Sequence, residues 1–160
     1  MKRRNFLSAL VASAAASAVV PAAVAREQLP QVTVYKNAYC GCCGEWVKHM
    51  EAAGFAVTVN AVDDTAAYRN KYGIPSALAS CHTAVVAGYA LEGHVPAQDV
   101  KRLLAGKPAA VGLAVPGMPS GAPGMQQGGP EQPYKVLLVD RKGSTSVFAA
   151  YPAARANQAS

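Results

Sequence analysis

The sequence predicts a mixed α/β fold, arranged as an α+β sandwich. Three observations point there. Short runs alternate apolar and polar side chains, as strands do. Between them, apolar residues recur at helical spacing. Gly or Pro punctuates most of the junctions. The order strand, helix, strand, helix, strand, strand, helix is that of layered α/β domains.

Gln31 to Tyr35 (Q-V-T-V-Y) alternates and reads as the first strand. Glu45 to Ala53 places Trp46, Val47, Met50 and Ala53 on one helical face, with Gly54 as its stop. Phe55 to Val62 reads as a second strand. Asp63-Asp64-Thr65 caps a short helix running to Lys71, closed by Gly73 and Pro75. Thr83–Ala87 and Tyr89–Glu92 are two short strands around Gly88. Pro96 opens a helix, since its missing N–H has no partner there anyway, and Val100, Leu103 and Leu104 form its buried face. Residues 105–133 hold seven Gly and six Pro, too many for a helix or central strand, and read as a long loop. Tyr134–Asp140 and Thr145–Tyr151 resume strand character around Arg141-Lys142-Gly143-Ser144, a C-terminal β-hairpin. Residues 152–160 read as a flexible tail.

At 160 residues the chain is one domain, or one domain with a tail. Only 15% of residues are charged, against a usual share of about 25%. That excludes a coiled coil and a charged disordered tail. The formal net charge is +6, but Lys2, Arg3 and Arg4 supply half of it. What remains forms no basic stripe, so no nucleic-acid partner is expected.

Residues 1–25 have the layout of a secretory signal: a basic start, an apolar middle from Phe6 to Val20, and Ala23-Val24-Ala25 as the cleavage site. Arg3-Arg4-Asn5-Phe6-Leu7 resembles the twin-arginine export core. The apolar run is too short for a stable membrane span of about 20 residues. The expected mature chain begins at Arg26, in a bacterial periplasm, where oxidising chemistry prevails. Residues 26–151 form the expected domain.

The four cysteines carry the chemistry. Cys40, Cys42 and Cys43 are packed into Cys40-Gly41-Cys42-Cys43, between a strand and a helix, and Cys81 lies just before a later strand. C-x-x-C at such a junction reads as thioredoxin-like. Helix N-terminal N–H groups favour thiolate, which is both the nucleophile of disulfide exchange and a soft metal ligand. Two functions therefore stay open: metal binding, and thiol–disulfide exchange with Cys40 and Cys43 as the redox pair. A third thiol inside the motif would scramble exchange. In a thioredoxin-like fold the segment at Cys81 approaches the C-x-x-C. Four sulfurs would then converge, a set that selects Cu(I), Zn(II) or iron–sulfur. A third possibility is a pair of structural disulfides stapling an interaction module. Zinc spacings more often involve two separated knuckles.

His82 follows Cys81 and is a candidate ligand or proton donor. His94, before Pro96, reads as a helix-opening residue, and His49 as solvated. Met118 and Met125 recur as Gly-Met beside proline in the loop. Thioether sulfur suits Cu(I) and cannot form disulfides, so both are second-rank ligand candidates in a lid over the cysteines. The competing role is gap-filling on apolar surface.

Tyr39-Cys40-Gly41-Cys42-Cys43, Gly73-Ile74-Pro75, Ser80-Cys81-His82-Thr83-Ala84, Glu92-Gly93-His94-Val95-Pro96-Ala97 and Gly112 to Met125 occur in that order. This set resembles the CopG-type family of periplasmic copper-resistance proteins, long described as a domain of unknown function. The resemblance covers about residues 30–151. It implies a thioredoxin-like fold and Cu(I) bound by Cys40, Cys42, Cys43 and Cys81, including as a multinuclear cluster. It also implies a role in copper tolerance through cycling between Cu(I) and Cu(II), with copper ions and other periplasmic copper-handling proteins as partners.

Overall fold

The structure is a computed structural model that describes residues 28–126 and 130–152. The expected export signal and residues 153–160 of the tail lie outside that range. Strand β1 (Val32–Lys36) leads into helix α1 (Gly41–Ala52) and the parallel strand β2 (Val57–Ala61). Helix α2 (Thr65–Lys71) follows, capped as the sequence predicts: the Asp64 carboxylate accepts the N–H groups of Ala66 and Ala67. A 3₁₀ turn at Ser76–Leu78 precedes the antiparallel pair β3 (His82–Val86) and β4 (Tyr89–Glu92). Helix α3 (Ala97–Gly106), β5 (Ala110–Ala114) and the hairpin β6 (Tyr134–Asp140) and β7 (Thr145–Tyr151) complete the chain. In the hairpin turn Asp140 accepts the N–H groups of Lys142 and Ser144.

The strands form one seven-stranded mixed sheet in the order β2-β1-β3-β4-β5-β6-β7, which bears out the mixed α/β class. Its two faces bury two cores. Leu91 and Leu113 pack on one face with Val32 and Val34, Trp46, Val47 and Met50 of α1, and Val100 and Leu103 of α3. Their neighbours Ala90 and Ala114 pack on the other with Ile74, Leu78 and Val139. Adjacent residues of a strand point to opposite faces, so each strand feeds both layers. Each fully buried Leu or Met here contributes roughly 1.5–3 kcal/mol.

One expectation fails. Residues 105–133 are not all loop: α3 runs on to Gly106, and β5 lies inside the sheet between β4 and β5's other neighbour, β6. Gly112, which counts against a strand by composition, is what lets the strand fit. A Cβ there would collide with the backbone of Ala90 on β4. The pairing with β6 is irregular between Ala110 and Gly112. Helix α1 also starts at Gly41, four residues before the predicted Glu45, so Cys42 and Cys43 sit in its first turn and Cys40 is its N-cap.

Candidate metal centre

The sheet register brings the sulfurs together. Strand β3 runs antiparallel to β1 with His82 opposite Lys36, so the chain enters β3 beside the end of β1. That is where α1 begins. Ligand atoms of Cys40, Cys42, Cys43 and Cys81 all lie within 4.8 Å of one another. The expected return of the later sulfur to the early trio is thus what the fold produces.

Cys40 and Cys43 are joined by a disulfide, while Cys42 and Cys81 are free thiols. A framework of two disulfides is therefore not what the cysteines form, and the single bridge, spanning three residues, staples no distant segments. Cys42 Sγ lies 3.5 Å from Cys40 Sγ, and Cys43 Sγ lies 3.8 Å from the Cys81 carbonyl oxygen.

Cys81 also belongs to a second group, with His82 and His94, whose ligand atoms are equally close. Its Sγ is 3.1 Å from His94 Nε2 and 3.4 Å from His82 Nδ1. His94, which the sequence reads only as a helix-opening residue, is fully buried and faces Cys81. Its Nδ1 donates to the Pro123 carbonyl at 2.7 Å, which leaves the lone pair on Nε2, facing Cys81. Such an anchored imidazole is the arrangement metal-binding histidines use. The Cys81 thiol then donates to His94. His82 Nδ1–H in turn donates to Cys81, and its Nε2, which has no partner, is an unpaired acceptor rather than a costlier buried donor. The Trp46 ring packs 4.5 Å from the His82 ring, and Trp46 Nε1 donates to the Val95 carbonyl.

Burial dominates the electrostatics. It pushes the Cys81 thiol up to about 12, with a lesser contribution from Cys42. It pulls His82 down to about 3, aided by His94 and Lys36, and lowers His94 as well. Without metal the group is therefore neutral: a thiol and two uncharged imidazoles. A soft ion that displaced the thiol proton would find the Cys81 sulfur and His94 Nε2 already placed, and would gain His82 Nδ1 once its proton moves to Nε2.

The Gly/Pro segment does cross this site. Gly117 N–H donates to the Ala79 carbonyl and Ser80 Oγ donates to the Gly117 carbonyl. Gly124 adopts φ +82°, and a Cβ there would lie 2.6 Å from Trp46 N and 3.1 Å from the Cys42 carbonyl oxygen. Within it Met118 is 57% exposed and Met125 packs against the main core. Of the two thioethers, Met125 thus occupies the gap-filling role and Met118 the free one.

Sequence reasoning missed His94 and misplaced His49. His49 is half-buried, and its Nε2 accepts the Ala97 N–H that opens α3. His94 could have been found. The β3–β4 hairpin pairs Thr83 with Glu92, and the same register carried two residues outward sets His94 opposite Cys81.

Residues 78–125 match a family described as "Protein of unknown function, DUF411". Two solved structures, forms 2 and 1 of "Copper resistance protein copG", resemble the chain closely. Form 2 is 44% identical with a TM-score of 0.74, over 78% of this chain and 99% of that one. Form 1 is 45% identical with a TM-score of 0.72, over 77% and 98%. No curated protein sequence matches.

Proposed function

The chain belongs to the family of the copper resistance protein CopG, and from that premise we propose that it binds copper as cargo through its cysteine cluster and changes the oxidation state of that copper. The observation that carries this reading is the meeting of four sulfurs at one point, with two buried imidazoles sharing Cys81. Soft sulfur ligands select Cu(I) over the hard divalent ions.

The disulfide divides the labour. With Cys40 and Cys43 reduced, all four sulfurs are ligands for Cu(I), enough to bridge more than one ion. When two Cu(II) ions arrive, each Cys40 and Cys43 thiolate gives up one electron. The S–S bond forms, and two Cu(I) ions remain for Cys42, Cys81 and the imidazoles. A two-electron reductant then restores the dithiol. Met118, exposed on the crossing segment, is a further thioether ligand. The work is placed in the periplasm, after export and cleavage behind Ala25, and serves copper tolerance. The β-α-β unit of β1 to β2 and the β-β-α unit of β3 to α3, joined through α2, with strand order β2-β1-β3-β4, support a thioredoxin-like core.

The test is anaerobic Cu(I) titration of the reduced protein against a competing chelator. Tight binding that weakens at least about tenfold, a 1.4 kcal/mol effect, in Cys42→Ser and in Cys81→Ser is expected. Weak binding indifferent to both substitutions refutes the reading.

A second reading, thiol–disulfide exchange with protein substrates, is favoured by the Cys40–Cys43 bridge itself. It requires turnover of a disulfide substrate by metal-free protein, retained in Cys42→Ser.

A further inference from the structure

Lys36 ends β1 on the same face as Val32 and Val34, the face that α1 covers. It lies opposite His82 in the sheet and four residues before Cys40. Only 9% of it is exposed. Its Nζ donates to the Asn37 carbonyl at 3.0 Å, and none of the ion pairs among the described residues includes it. A buried ammonium without a carboxylate is costly and is ordinarily paired or replaced. Glu92, a buried carboxylate, is already answered by Arg69.

The missing counter-charge appears when the thiols lose their protons on taking up the cargo. Four thiolates carry four negative charges, and any load of fewer than four Cu(I) ions leaves the cluster anionic. We propose that Lys36 is a positioning residue for charge: its fixed cation, uncompensated in the metal-free protein, stabilises the anionic copper–thiolate cluster. This rests on the proposed copper binding. A buried cation acts on a nearby anion through space, without touching the metal.

A purely structural lysine and a charge-compensating one predict different things. Replacing Lys36 by Met keeps the stem and removes the buried charge. Metal-free Lys36→Met is expected to be as stable as wild type or more so, by thermal unfolding. Its Cu(I) affinity, from chelator competition on reduced protein, is expected to fall roughly tenfold or more. Lys36→Arg, which keeps the charge, is expected to recover most of the affinity. Unchanged affinity in Lys36→Met, a joint loss of stability and affinity, or failure of Lys36→Arg to recover the affinity overturns the proposal. Wild type is titrated alongside. If it does not bind Cu(I), the copper reading falls and this inference with it. If it binds and Lys36→Met binds equally, only this inference falls.

Discussion

Replacing Gly124 by Ala probes whether the Gly/Pro segment is seated on the cysteine helix. Two effects add. At φ +82° a side chain is strained by about 1–2 kcal/mol. The added Cβ would also lie 2.6 Å from Trp46 N and 3.0 Å from the Glu45 carbonyl carbon, both backbone atoms of α1. A helix backbone cannot yield locally, so the segment must lift. Lifting breaks the Pro123–His94 hydrogen bond, worth about 1 kcal/mol net. The expected loss is about 2–4 kcal/mol, most of it from seating and strain together. Gly117→Ala is the control: φ is +69°, but open space surrounds the added Cβ, so only strain remains, about 1–2 kcal/mol. Urea unfolding of the metal-free, disulfide-bonded protein reads the difference. With an m-value of about 2 kcal/mol/M, a gap of about 1–2 kcal/mol separates the two midpoints by about 0.5–1 M. Coincident midpoints for Gly124→Ala and Gly117→Ala would show that the segment does not rest on α1, and the account of how His94 is held would fail with it.

Two further outcomes follow from the buried groups. Burial lowers the folded-state pKa of His82 from the usual 6.5 to about 3, so its contribution to stability is whole above pH 6.5 and is lost as pH falls toward 3. In that window the unfolded chain takes up a proton that the folded one refuses, which costs up to about 1.4 kcal/mol per pH unit. His49 and His94 act in the same direction. Urea midpoints of metal-free protein measured from pH 7 to 4 should therefore fall steadily, and His82→Phe should flatten the slope; an unaltered slope would contradict the assignment. Separately, with its thiol pushed up to about 12, Cys81 is almost wholly protonated at pH 8. Its alkylation by iodoacetamide, followed by peptide mass spectrometry, should run roughly a thousandfold slower than that of an ordinary cysteine. A rate near the ordinary one would mean that the thiol is not desolvated.

The parts of this molecule that local pattern controls were readable in advance. Alternation marked β1, short strand-like runs around Gly88 and around residues 141–144 marked β3, β4 and the C-terminal hairpin, Asp64 marked the cap of α2, and the C-x-C-C spacing marked the site. What escaped depends on contacts distant in sequence. Gly112 looks like a strand breaker until Ala90 is placed beside it. The first turn of α1 is built from glycine and cysteine, residues of poor helix propensity that packing overrides. His94 reads as a helix-opening residue and His49 as a solvated one because Pro123 and Ala97, which hold them, lie 29 and 48 residues further along the chain.

The segment that spans the cysteine helix contains Pro116, Pro119 and Pro123. A pyrrolidine ring fixes one backbone torsion before folding begins, so these residues surrender little freedom when the strap docks. A handful of hydrogen bonds can therefore hold it down. Lifting the strap from the sulfurs must break those bonds and uncover Ala122 and Met125, which pack on the main core.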